Sequence, residues 1–260
     1  MKANRIRKAA AEGRVPFGHM VMEFDTPGIA KLCEAADLDF VILDMEHGPL
    51  SISQVAGLIA RFKATAISPI VRIPASEYHF VARVMDAGAQ GIMAPNVRTP
   101  EQARMLNDAM RYAPEGNRGL GLGVSHNDFI RPDSKNYMEA ANASNILICQ
   151  VESRTAVQNL DAIASVPGVD CLWVGHMDLT QSMGIVEQFQ HPEFLSAMRK
   201  VTQTATDRGL FAGIQPGGLA QAREWMEMGF NLISYSTDIG IYSAGLVSEL
   251  NAVRAVAGHA

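Results

Sequence analysis

The stretch DFVILDMEHG, residues 39–48, decides the fold. Its first half is an unbroken apolar run, and a strand that is apolar on both faces is a parallel strand covered by other layers on both sides. Its second half turns abruptly polar, so Asp44, Glu46 and His47 fall at the C-terminal end of that strand. SISQVAGLIARFKA follows, with helical spacing of its apolar positions and a start near Ser51. One strand and one helix in this order make half of a parallel βαβ unit.

The same unit recurs outward in both directions. Upstream, VPFGHMVMEF (15–24) reads as a strand, followed by TPGIAKLCEAADL with Thr26 as helix N-cap and Pro27 at the first helical position. The N-terminal MKANRIRKAAAEGR reads as a surface segment leading into the fold. Downstream, SPIVRIP (68–74) precedes a helix closed by Gly88, and GIMAPNV (91–97) precedes a helix opened by Thr99 and Pro100. NILICQVE (145–152), VDCLWVG (169–175), LFAGIQP (210–216) and NLISYST (231–237) bring the count to eight strands, with a last helix over about 239–256. Eight strand–helix repeats predict an α/β fold, a (β/α)₈ TIM barrel forming a single domain over residues 1–260. A doubly wound open sheet fares worse, because the first strand–helix junction reads EFDTPG and lacks the glycine pattern that seats a pyrophosphate. One stretch breaks the rhythm. PEGNRGLGLGVSHNDF (114–129) is too glycine-rich to pack as an element and suggests a functional or interface loop.

Composition narrows the function. Of 260 residues, 48% are hydrophobic and 19% charged, enough for a large core, and the net charge of −5 argues against nucleic acid as a partner. No apolar stretch is long enough to span a bilayer and no basic run suits a membrane surface. The three cysteines, Cys33, Cys149 and Cys171, are an odd number at wide spacing in apolar contexts, which fits free thiols in a reducing cytoplasm.

In such barrels the chemistry sits at the C-terminal ends of the strands. There the sequence gathers Asp44, Glu46 and His47, then Arg72, then Gln150 and Glu152, then the turn from Gly175 to Asp178. Glu152 and Asp178 end neighbouring strands and could share one hard divalent cation, Mg²⁺, Mn²⁺ or Co²⁺, with positions left for a chelating 2-oxo acid. A salt bridge for Glu152 and a helix N-cap for Asp178 are the plain alternatives. Arg72 suits a developing oxyanion, or equally an ion pair with Asp44 or Glu46. His47 can relay a proton near neutral pH, with Asp86, near the end of the helix after the third strand, as a carboxylate to orient it or as an ordinary surface residue. None of the six lysines falls in a predicted strand, so a Schiff-base mechanism has no nucleophile at the mouth.

Taken together, FVILDMEHG, VRIP, MDAGAQGIMAPNV, the NRG-containing loop, CQVES and WVGHMDLT resemble the class II pyruvate aldolases of the HpcH/HpaI type, in the family's order and over most of the chain. The resemblance implies a metal on Glu152 and Asp178, Arg72 at the enolate oxygen and His47 in proton transfer with Asp86 as partner. It also implies that Gln150 and the turn of Gly175, His176 and Met177 contact the keto acid. The expected reaction is cleavage of a 4-hydroxy-2-oxo acid to pyruvate and an aldehyde. It further implies a trimer or hexamer, with the last helix packed on a neighbouring subunit and the loop around Arg118 to Val124 reaching an adjacent site. His176 departs from the family's Gly-Pro-x-Asp, so it either reshapes the pocket or is a partly exposed loop residue. His126 carries no assignment. Decarboxylation of an oxaloacetate-like acid or a related lyase step would use the same groups. A phosphate-ligand barrel using QPGG (215–218) and STDIG is a reading from another class.

Overall fold

The computed structural model of the chain describes residues 2–257; residues 1 and 258–260 of the expected domain lie outside the described residues. Eight parallel strands close into a barrel in sequence order: β1 (Phe17–Val21), β2 (Phe40–Asp44), β3 (Ser68–Arg72), β4 (Gly91–Ala94), β5 (Ile146–Val151), β6 (Cys171–Val174), β7 (Phe211–Ile214) and β8 (Leu232–Thr237). β8 pairs with β1 through Phe17 opposite Ile233, which closes the ring. Around it run α1 (Arg5–Ala11), α2 (Ile29–Ala35), α3 (Ile52–Phe62), α4 (Tyr78–Ala87), α5 (Pro100–Met110) and α6 (Ser134–Ser144). These are followed by α7 (Arg154–Gln158), α8 (Leu160–Ala164), α9 (His176–Ser182), α10 (Pro192–Asp207), α11 (Leu219–Glu227) and α12 (Asp238–Val256).

Local chemistry explains most boundaries. α3 and α5 each open on a capping box, Ser51 with Gln54 and Thr99 with Gln102, and Gly88 closes α4 in the left-handed region at φ 107°. α3 then buries Val55, Leu58, Ile59 and Phe62 in one stripe, each such side chain contributing about 1.5–3 kcal/mol. The helix after β1 departs from the reading above. Thr26 and Pro27 lie in the preceding turn, and α2 begins after Gly28 with no side-chain cap.

Two apolar shells result. One fills the barrel with Met20, Phe40, Ile42, Ile70, Met93 and Trp173; the other lies between strands and helices. Gly213 makes the inner shell possible, since a Cβ there would sit 2.2 Å from the Trp173 ring. Cys149 belongs to the outer shell and Cys171 to the inner, on adjacent strands but opposite faces, and all three cysteines are free.

The N-terminal segment is no mere surface lead-in. Ile6 of α1 is fully buried in the inner shell, and the Asn4 amide donates to the carbonyls of Gln90 and Ser144, so α1 plugs the barrel at the N-terminal ends of the strands. At the other end of the chain, α12 buries only Asp238 and leaves Ile241, Tyr242, Leu246, Val247, Leu250 and Val253 exposed. An apolar groove of about 450 Å³ opens at its foot, walled by Phe24, Ile29, Leu32 and Tyr242 among others. No helix among the described residues is long and apolar enough to cross a membrane.

Candidate active site

Because every helix returns the chain from the C-terminal rim to the N-terminal one, the last residues of the strands define one face. Asp44 ends β2 and Arg72 ends β3, and the two are register partners. The Arg72 guanidinium donates to both Asp44 carboxylate oxygens at 2.7 Å, and the Asp44 side chain is fully buried. Asp44 also accepts the backbone N–H groups of Glu46 at 3.0 Å and His47 at 3.3 Å, which folds the DMEHG turn over the rim. The ion pair that the sequence left open for Arg72 is therefore present, and it fixes the fork.

The third arm of that guanidinium reaches Glu46, Nη1 to Oε2 at 3.1 Å. The imidazole of His47 lies 3.8 Å from the same carboxylate and is more than half exposed. Burial works against the charge on Arg72, but Asp44, Glu46 and Glu152 outweigh it and raise its pKa. For Glu46 burial wins: its carboxyl is raised although Arg72 and His47 pull the other way, with Asp44 and Asp178 adding to the rise.

Glu152 follows β5. Its carboxylate accepts the Asn96 backbone N–H at 2.6 Å and the Gln150 amide. Burial first, then the charges of Glu46 and Asp178, push its pKa up to about 7 against those two hydrogen bonds. Gly175 closes over it, because a Cβ at that position would meet Glu152 Oε2 at 2.2 Å. Asp178 stands in the first turn of α9, and among the described residues no side-chain hydrogen bond or ion pair holds it. A cavity of about 220 Å³ opens here, lined by His47, Arg72, Gln150, Gly175, His176, Met177 and Asp178, all expected from the sequence. Met20, Met22, Trp173 and Val174 also line it and were missed as site residues, and so do Gln215 and Thr237, which the sequence reading gave to the phosphate alternative. They carry no reactive group, and only the inward alternation of β1 and β6 could have marked Met20 and Trp173.

Two expectations change. Asp86 ends α4 and so lies at the opposite, N-terminal rim, where it pairs with Arg118 at 2.6 Å. It cannot reach His47 of its own chain; the carboxylate beside that imidazole is Glu46. Arg118 itself is buried, over the Tyr112 ring at 4.7 Å, while Leu120 and Val124 of the glycine-rich loop are exposed. His126 in the same loop is buried between Tyr137 and the Gly121 carbonyl, a structural role.

The His176 ring, though it borders the cavity, packs on Phe189 and Trp225. The phosphate alternative loses its donors. The Gly217 N–H is taken by Gln221, and the Asp238 carboxylate accepts the N–H groups of Met22, Glu23 and Phe24. None of the six lysines lies in a strand or lines the cavity.

The residues at hand suit a divalent cation by charge. Arg72 is already engaged by Asp44, so Glu46, Glu152 and Asp178 carry more negative charge among them than the one guanidinium arm shared with Glu46 offsets. Among the described residues no group of three or more His, Cys, Asp or Glu has metal-holding geometry, so the protein would supply two oxygen ligands and leave the other positions open.

Known proteins resemble this chain over most of its length. The sequence profile of the family described as HpcH/HpaI aldolase/citrate lyase matches residues 20–243. A hydroxypyruvate/pyruvate aldolase of Roseobacter denitrificans is 34% identical over 241 residues, 92% of each chain. A 5-keto-4-deoxy-D-glucarate aldolase of Shigella boydii is 31% identical over 239 residues, again 92% of each. The crystal structure of an HpcH/HpaI aldolase from Desulfitobacterium hafniense superposes with a TM-score of 0.91 at 28% identity, covering 96% of both chains. A closed barrel with its acidic groups, one arginine and one histidine at a single rim, matched over nearly its whole length, places this chain in the HpcH/HpaI aldolase/citrate lyase family.

Proposed function

We propose that the chain is a metal-dependent class II aldolase that cleaves 4-hydroxy-2-oxo acids reversibly to pyruvate and an aldehyde. The surplus of carboxylate at the rim supports this reading: Asp178 lines the cavity, Glu46 and Glu152 lie near enough to feel its charge, and the Arg72 fork beside them is already bonded to a fourth acid, Asp44. Glu152 and Asp178 would hold the divalent cation (Mg²⁺, Mn²⁺ or Co²⁺), which when bound would act as a Lewis acid toward the 2-oxo acid.

The chain's own groups do the rest. Arg72, locked in direction by Asp44, aims a cationic donor at the oxygen where charge develops as the carbon–carbon bond breaks. His47 takes the proton of the 4-hydroxyl, directly or through water, with the Glu46 carboxylate 3.8 Å from its ring. Gln150 turns its amide N–H to Glu152 and keeps a buried oxygen free for the keto acid. Gly175, His176 and Met177 line the side where the substrate carboxylate would rest. Met20, Met22 and Trp173 exclude water from the cleaved bond.

Asp86 could serve only the His47 of a second copy, and the bare apolar face of α12 with the groove at its foot supports assembly into a trimer or hexamer. Buried free thiols fit a cytoplasmic enzyme.

The test is pyruvate release from a 4-hydroxy-2-oxo acid, coupled to lactate dehydrogenase. Activity should vanish with EDTA and return with Mg²⁺, Mn²⁺ or Co²⁺. Turnover that persists after complete metal removal refutes the mechanism.

A further inference from the structure

We propose that His176 is a positioning residue for Asp178: its ring, wedged between Phe189 and Trp225, takes the place of a helix cap and fixes the turn that carries the metal carboxylate. The proposal rests on the reading of Asp178 as a metal ligand. α9 begins at His176, and its N-cap Gly175 provides no side-chain hydrogen bond. Ser51, Thr99, Ser153, His191 and Thr237 cap other helices with a side chain, whereas α2, α4, α8 and α11, like α9, have no such cap. An uncapped first turn frays readily. Yet this turn must be firm, since Gly175 is pressed on Glu152 and nothing among the described side chains holds the Asp178 carboxylate.

The turn is closed by the Leu179 N–H on the Gly175 carbonyl at 2.9 Å and the Thr180 hydroxyl on the Met177 carbonyl at 2.8 Å, and it is anchored in the helical shell by the His176 ring. Its centroid lies 5.1 Å from the Trp225 ring and 5.3 Å from Phe189, at interplanar angles of 57° and 65°. Phe189 packs in turn on Phe194 at 5.7 Å, and Trp225 and Phe194 are fully buried in α11 and α10. The first residue of α9 is thereby anchored in the helical shell two residues before Asp178. Groups that orient a ligand from behind typically govern metal affinity by about 10–100-fold.

The experiment is titration of the purified metal-free protein with Mn²⁺, reading free Mn²⁺ by electron paramagnetic resonance, with thermal midpoints recorded before metal is added. His176→Ala should weaken Mn²⁺ about tenfold at a nearly unchanged midpoint, and His176→Phe, which keeps an aromatic wedge, should stay within about twofold of the parent. Should His176→Ala not fold, Phe189→Leu loosens the same wedge from its other side and should also weaken Mn²⁺. A folded His176→Ala, or failing that a folded Phe189→Leu, with the parent's Mn²⁺ affinity overturns the proposal. Asp178→Asn separates the two ideas. If it binds Mn²⁺ as the parent does, the metal reading fails, and the role given to His176 fails with it.

Discussion

The two rims of the barrel treat charge in opposite ways. At the N-terminal rim every prominent carboxylate has its cation: Asp39 pairs with Arg5, Asp170 with Arg7 and Arg111, and Asp86 with Arg118. Ile6 seals the centre. At the C-terminal rim Asp44 takes both parallel bonds of the Arg72 fork, while Asp178 lines the cavity and Glu46 and Glu152 stand close to it, with one guanidinium arm on Glu46 as the cation they share among the described residues. Paired charge around a plug holds a fold together; unpaired charge around a void costs stability and is kept for chemistry. The closed rim serves folding and the open rim serves the reaction.

The sharpest way to break this contrast is to remove surplus charge at the open rim. Glu152→Gln should lower kcat by more than about 10³-fold and abolish Mn²⁺ binding, because one of two protein ligands is gone. Yet the metal-free protein should become more stable at pH 8. Burial raises the Glu152 carboxyl from its usual 4.5 to about 7, so the fold favours the protonated acid. That stabilisation is complete below about pH 4.5 and is lost as pH rises through 7. The parent's metal-free thermal midpoint should therefore fall over that window relative to Glu152→Gln. Equal midpoints from pH 5 to 8 would show that this carboxylate carries no uncompensated charge.

Arg72 tests the same rim from the cationic side. Arg72→Met should cost about 10²–10³-fold in kcat through loss of an oxyanion donor. It should also destabilise by about 3–5 kcal/mol, because the buried Asp44 carboxylate loses its ionic partner. Arg72→Lys keeps the charge but not the two parallel hydrogen bonds, so it should recover part of the stability and little of the rate. A lysine variant with parental kcat would mean that the fork geometry is irrelevant.

How much of this was legible beforehand follows the range of each interaction. The barrel was readable from DFVILDME and its repeats, because period, helix caps and strand count are local quantities, and Ser51, Thr99 and Gly88 sit where they were expected. The rim residues were readable too, since the end of a parallel strand in this fold is a fixed address, and His47, Arg72, Gln150, Gly175 and Asp178 share one cavity. What failed depended on distance along the chain. Asp86 had a chemically suitable side chain, but the four turns of helix or fewer that follow β3 carry it to the other rim. The basic N-terminus gave no hint that Ile6 would enter the barrel, because its partners Phe40, Ile70 and Ile146 are far away in sequence. The aromatic seat of His176 was equally hidden, being assembled from α9, α10 and α11.

The smallest effect on turnover is expected at the closed rim, and it isolates the contrast most cleanly. Arg111 lies beneath the barrel and donates from Nε to Asn107 at 2.8 Å, from Nη1 to the Asn142 carbonyl, and from Nη2 to Gly168 and Asp170, both at 3.1 Å. Arg111→Met keeps the apolar stem and deletes these bonds. Asp170 still has Arg7 at 2.7 Å and the Leu147 N–H at 2.8 Å, so its charge is not stranded. The loss should therefore be about 2–3 kcal/mol, below that of breaking an isolated buried pair. For a chain of this length that is a fall of roughly 4–10 °C in thermal midpoint. Below that midpoint kcat and KM should remain within about twofold of the parent, because no bond made by Arg111 reaches the cavity at the other rim. A ten-fold change in kcat with a small shift in midpoint would instead mean that the two rims are mechanically coupled through the strands, and the division between a folding face and a reacting face would have to be abandoned.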